Sequence, residues 1–161
     1  METVRVDETA NMLKEKKKET LLNQAIESLI DEFIERSIFS MDEQVIVDNA
    51  VNYYQYYSDM ASVCGVSIEE YIKSTINESV DIYTLCYNDS LRELKRYLVI
   101  GRYAEENQIS ISEEDMNRYC EKNYIKWDGL DDKETCNLKY KMIEEQVLQQ
   151  IGERYVEIVM K

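Results

Sequence analysis

The chain contains no proline and no histidine, and only four of its 161 residues are glycine. Ordinary proline usage of about 5% would place several in a chain of this length. Proline and glycine punctuate compact folds, so their scarcity points to few, long elements, and to helices above all. The lack of histidine removes His-based catalytic triads and most zinc sites. The four cysteines, Cys64, Cys86, Cys120 and Cys136, are too widely spaced for a CxxC metal or redox motif. No apolar run approaches the roughly 20 residues that span a bilayer. The N-terminal METVRVDETA has no apolar core of the kind a signal peptide needs. Together these absences predict a cytoplasmic protein with reduced thiols and no membrane partner.

What is present fits one domain of residues 1–161 on length. Hydrophobic residues make up 44%, enough for a core, and charged residues 32%. Asp and Glu number 33 against 19 Lys and Arg, a formal charge of −14. That excess argues against a nucleic-acid partner, because phosphate backbones call for clustered Lys and Arg. The one basic run, Lys14 to Lys18, reads as a solvated helix face.

Hydrophobic spacing predicts helices along the whole chain. Leu22, Ile26, Leu29 and Phe33 step by 4, 3 and 4 through a helix from about Asp7 to Arg36, with Leu21, Ala25, Ile30 and Ile34 widening the stripe. The segment Ser37 to Met41 breaks it. Ser40 with Glu43 reads as a capping box that restarts a helix near Met41, which Gly65 ends after Cys64. Ser67 with Glu70 opens a short helix to about Ser74. A long helix from about Asn77 to Asn107 carries the stripe Val80, Tyr83, Tyr87, Leu91, Leu94 and Leu98, with Gly101 inside it as either a close crossing point or a tolerated cost. Ile109 to Ser112 is a short extended connector. Ser112 with Asp115 caps a helix to about Asn123, and an irregular stretch from Tyr124 to Asp132 holds Trp127. A last helix from Lys133 to Met160 carries Leu148, Ile151, Tyr155 and Ile158. No strand pattern appears, so the expected fold class is all-α.

One stretch stands out. Residues 51–57 read VNYYQYY, and the chain holds thirteen tyrosines against two phenylalanines. At about 100° per residue, Tyr53, Tyr54, Tyr56 and Tyr57 share one arc of about 160°, with Met60 inside it. A buried core normally uses Leu, Ile or Phe, which leave no hydroxyl to satisfy, whereas a phenol wants water or a partner. Either two of the rings are core and two rest on neighbouring helices, or the face is an amphipathic contact surface. The excess of tyrosine over phenylalanine favours the second.

Three stretches carry a family resemblance. AIESLIDEFIERSIFSMDEQVIVDNAV, Ala25 to Val51, is a helix, a small-polar break with Phe, and a second helix. CGVSIEEYI, Cys64 to Ile72, is a G-x-S-x-E-E-Y-like turn. LKRYLVIGRYAEENQISISEEDMNRYCEK, Leu94 to Lys122, is a long helix followed by a short connector and a capped helix. In this order they resemble the C-terminal chaperone domain of trigger factor, the bacterial ribosome-associated folding factor, over nearly the whole chain. The resemblance implies an elongated helical body with long projecting arms that form a cradle. It implies an ATP-independent module that binds apolar segments of unfolded or nascent polypeptides and uses no cofactor. Where that family has a proline after the Phe of the break, this chain has Met41 and Asp42. The family's GFRxGKxP-like ribosome loop and prolyl isomerase domain are not found in these residues, so neither activity is expected of them.

Under that reading the candidate client contacts are Tyr53, Tyr54, Tyr57 and Met60, with Ile38, Phe39 and Met41 at the helical break. Trp127 either plugs the helical body or tips an arm, and the plug is preferred. The alternative is a helical scaffold that binds one fixed protein partner or pairs with itself as a homodimer; its mark is a single partner rather than many. An enzyme is not expected. The acidic pairs Glu69/Glu70, Glu105/Glu106 and Glu113/Glu114 are adjacent on helices, so their carboxylates point about 100° apart and do not converge. With no histidine, no di-iron Glu-x-x-His motif and no metal site is expected.

Overall fold

The computed structural model describes residues 2–76 and 79–159, with side chains from Asp7 onward. Among these residues the chain is all-α. Six α-helices, α1 (Glu2–Arg36), α2 (Glu43–Cys64), α3 (Ile68–Ile76), α4 (Ile82–Glu106), α5 (Glu113–Lys122) and α6 (Asp132–Val159), are joined by short connectors, with one 3₁₀ turn at Trp127–Gly129. The helices form two compact units. One comprises Met1–Glu35 and Val99–Lys161, the other Arg36–Leu98.

The helix boundaries follow from local hydrogen bonding. α2 starts two residues later than the Ser40 and Glu43 pattern suggests. Its N-cap is Asp42, whose carboxylate accepts the Gln44 N–H at 2.9 Å. An aspartate two residues further on takes the cap in place of the serine. The Ser67/Glu70 box forms in both directions, with each backbone N–H given to the other's side chain at 3.2 Å, as does the Ser112/Asp115 box. Two hydrogen bonds from Ser112 hold the Asp115 carboxyl below the usual range. α4 begins at Ile82, because Asp81 accepts the Thr84 N–H at 3.0 Å; the expected start at Asn77 lies outside the described residues. Val80 therefore precedes the helix instead of opening its stripe. α6 has a reciprocal box that spacing did not single out, between Asp131 and Glu134. Its expected end at Met160 also lies outside the described residues.

Three helices end in the same way. Gly65 (φ 68°), Gln108 (φ 55°) and Tyr124 (φ 56°) are left-handed. In each case the next residue's N–H reaches back to close a Schellman motif: Val66 to Ala61 O, Ile109 to Ala104 O and Ile125 to Cys120 O. Glycine takes this conformation freely, whereas Gln108 and Tyr124 do so against their Cβ atoms.

In the first unit, Ile26 and Ile30 of α1, Ile100 and Ala104 of α4, and Val147 and Ile151 of α6 form one buried cluster. Ile111, Met116 and Met142 form a second, against which Trp127 packs half-buried, in keeping with a plug. From Asp7 to Thr20 every residue of α1 is exposed, the basic run from Lys14 to Lys18 included. The glycine at a close crossing is Gly152 rather than Gly101. A Cβ at Gly152 would sit 3.0 Å from Ile26 Cδ1, whereas one at Gly101 meets nothing within 4 Å. The buried side of α4 is also turned from the expected stripe. Cys86, Ser90, Ile100 and Ala104 are buried, while Tyr83 and Leu98 are exposed. In the second unit, Ile46, Ala61, Ile72, Cys86 and Ser90 are buried.

Candidate functional site

The second unit holds the tyrosine run, and its polar seam explains the run's composition. Ser90 on α4 is fully buried and donates to the Ile46 carbonyl at 2.7 Å. One turn along α2, Asn49 donates to Glu93 at 2.8 Å. Tyr57 donates its phenol proton to Asp89 at 2.6 Å. Burial pushes the Tyr57 phenol well above its ordinary range, and the bonded Asp89 carboxylate adds to the rise. Burial, with the adjoining Glu93 carboxylate, pushes the Tyr53 phenol from 10.0 up to about 12. Thus Tyr53 and Tyr57, four apart on α2, answer two carboxylates, Asp89 and Glu93, four apart on α4. Phenylalanine at 57 would take from Asp89 the donor that Tyr57 gives it, and phenylalanine at 53 would leave Glu93 with the Asn49 amide but without the phenol.

Turning α2 by one residue brings a different surface into view. Val47, Ala50, Val51 and Tyr54 of α2, with Tyr83, Cys86 and Tyr87 of α4, line an apolar groove of about 550 Å³. Several of these side chains stay largely in solvent, Tyr83 at 71% and Val51 at 63% exposure. The Tyr54 and Tyr83 rings stack almost parallel, 6° apart with centroids at 6.1 Å, and bridge the two helices. Beyond that ring pair lies a second groove of the same volume, about 550 Å³. It is lined by Glu69, Ile72 and Lys73 of α3 and by residues 79–82, and it shares Tyr54 and Tyr83 with the first. The Cys86 thiol is buried in the apolar wall, and burial raises its pKa, so it stays protonated and acts as a small apolar group.

The seven residues picked out in the sequence fall in separate places. Tyr54 lines the groove. Tyr53 and Tyr57 are half-buried beside the carboxylates of α4, while their neighbour Tyr56, 55% exposed, meets Tyr57 edge to face. Met60 and Met41 are half-buried. Phe39 is half-buried with the Lys95 ammonium 5.6 Å over its ring, and Ile38 is fully exposed. The groove adds Val47, Ala50, Val51, Tyr83, Cys86 and Tyr87, none of which the sequence reading had placed at a site. The signal was there. Val47, Val51 and Tyr54 are spaced 4 and 3 on the face beside the seam, and Tyr83 and Tyr87 are one turn apart.

Among the described residues no three His, Cys, Asp or Glu side chains are grouped to hold a metal. No described helix is long and apolar enough to cross a membrane. No curated protein and no solved structure matches the chain. The family described as the bacterial trigger factor protein (TF) C-terminus matches residues 5–153. With nearly its whole length matched, the chain belongs to the family of the bacterial trigger factor C-terminus.

Proposed function

We propose that residues 1–161 act as one chaperone-type domain, a cytoplasmic, ATP-independent module that holds apolar segments of unfolded or nascent polypeptides and releases them without chemistry. The family supplies the class of partner. The observation that carries the reading is the open apolar groove between α2 and α4, whose aliphatic and phenolic walls are offered to solvent. Contiguous exposed apolar surface of this kind marks an interaction site, and tyrosine tolerates both water and apolar contact. Tyr54 is the central contact, with Val47, Val51 and Tyr83 around it. Tyr53 and Tyr57 hold the groove's frame, and Ile38, Phe39, Met41 and Met60 offer further apolar contact. The stretch Asp7 to Thr20, exposed throughout, supports the reading of α1 as an arm of a cradle. The charge of −14 keeps loaded complexes soluble and favours basic clients.

The test is light scattering from a refolding, aggregation-prone protein with and without this chain. Wild type suppresses scattering across unrelated clients. Val51→Asp with Tyr54→Ser, both at exposed positions, weakens suppression while helicity by circular dichroism is kept. A scaffold for one fixed partner shows no general suppression in the first place.

A further inference from the structure

The two grooves of the second unit share two residues, Tyr54 and Tyr83. Each groove has a volume of about 550 Å³, and the stacked ring pair is the partition between them. Tyr83 belongs to the first turn of α4, immediately after the non-helical residues 79–81, and is 71% exposed. Its side chain has open solvent to turn into. We propose that the Tyr54–Tyr83 stack is a gate that sets the length of apolar segment the site accepts. Closed, the first groove takes a short anchor. Open, the two grooves join into one trough and take a longer run. This deepens the client-holding reading above and rests on it.

The dimensions suit such a gate. From Val47 to Tyr54 the α2 wall rises about 10 Å, at 1.5 Å per residue. An extended chain covers that in about three residues at ~3.3 Å each. Joining the second groove, of equal volume, roughly doubles the run to about six. The character of the wall changes across the gate as well. The first groove is lined by aliphatic, phenolic and thiol groups. The second mixes Ile72, Val80 and Ile82 with Ser79, Asp81, Glu69 and Lys73. Within the second groove one carboxylate oxygen of Asp81 accepts from both the N–H and the hydroxyl of Thr84 in capping α4, which fixes where its charge sits.

The energetics suit it too. An aromatic stack favours the paired arrangement by about 2- to 13-fold beyond its buried area. A site held by that factor alone is open roughly 7–30% of the time. A guest that needs the open state then binds more weakly by the reciprocal of that fraction, about 3- to 14-fold. A short anchor, which needs only the first groove, bears no such reduction. Wild type therefore discriminates against long apolar runs relative to short ones.

The experiment uses the full chain and two fluorescein-labelled Gly/Ser peptides, one bearing a single Leu and one bearing about six consecutive aliphatic residues, the run the joined trough accommodates. Fluorescence anisotropy gives a Kd for each. Tyr83→Ala removes the gate and raises the long-to-short affinity ratio about 3-fold or more over wild type. Tyr83→Phe keeps the stack and keeps the wild-type ratio. Tyr54→Ala, which breaks the stack from the other side, raises the ratio as Tyr83→Ala does. If Tyr83→Ala weakens both peptides by the same factor, the ring is a contact and not a gate, and the proposal is overturned. If neither peptide binds wild type, or if binding survives Val51→Asp unchanged, it is the client-holding reading of the groove that has failed.

Discussion

Tyr57→Phe separates the two roles assigned to the tyrosines on α2. The substitution deletes one oxygen and leaves the ring in place. The oxygen donates to Asp89 at 2.6 Å in a half-buried setting. Hydrogen bonds to a charged acceptor contribute about 1.5–3 kcal/mol, and solvent access to this pair puts the expected loss at the lower end, about 1.5 kcal/mol. The loss is larger than for an ordinary surface bond because Asp89 is left facing a ring instead of a donor. Removing both partners should restore part of it. Tyr57→Phe with Asp89→Leu replaces the polar pair by an apolar one, and such replacements are often close to neutral. The four proteins of the cycle are compared by urea denaturation followed at 222 nm, and the favourable coupling between Tyr57 and Asp89 is expected at about 1 kcal/mol or more. Suppression of client aggregation by folded Tyr57→Phe should equal that of wild type, because the phenol faces α4 and not the groove. A stability within 0.3 kcal/mol of wild type, or a loss of suppression without a loss of stability, would refute the assignment of Tyr57 to the seam.

Three further outcomes are expected. The raised phenols of Tyr53 and Tyr57 favour the folded state fully below pH 10.0, the ordinary tyrosine value; the Tyr53 contribution is lost as pH rises through about 12, and the Tyr57 contribution is lost likewise as its own raised phenol ionises. The urea midpoint should therefore fall on the alkaline side of pH 10, and less steeply in Tyr53→Phe/Tyr57→Phe; an equal fall in both proteins counts against the seam. Gly152→Ala places a Cβ 3.0 Å from Ile26 Cδ1 and should destabilise by about 1 kcal/mol. In an Ile26→Val background, where that methyl is gone, the same change should gain stability through helix propensity; no difference between backgrounds in thermal melts contradicts the crossing. Tyr124→Gly relieves a left-handed residue (φ 56°) and should stabilise by about 0.5–1 kcal/mol, whereas Tyr124→Ala should bring no such gain.

Much of the architecture could be read without coordinates, since it rests on local rules. The boxes at Ser67/Glu70 and Ser112/Asp115 and the left-handed stop at Gly65 involve residues within one turn of each other, and all three form. The family resemblance also holds, because it depends on the order of such signals. What could not be read is which way each helix faces. A stripe has a width, and the edge that is buried depends on the neighbour. Tyr83 and Tyr87 share the period of the α4 stripe, yet the seam is built by Ser90, Asp89 and Glu93. A polar seam carries no hydrophobic periodicity, so the search for apolar spacing passed over it. The same blindness applied to Gly152. Nothing local distinguishes a glycine that admits Ile26 from one, such as Gly101, that faces open space.

The seam and the groove belong to one design problem. A site for unfolded chains must keep apolar side chains in water without collapsing on them. An α2–α4 contact made by leucines would leave nothing to stop Val47, Val51 and Tyr54 from sliding into it, since apolar packing is non-directional. Hydrogen bonds are directional, and a displaced partner is costly. Tyr57 to Asp89, Asn49 to Glu93 and Ser90 to the Ile46 carbonyl fix the rotation and register of α2 on α4. Any roll that buried the groove would break all three. The crowding of tyrosines at 53–57 follows from this. Two rings with oxygens lock the helices together, and a third, one residue along the same helix, is thereby held out over the groove.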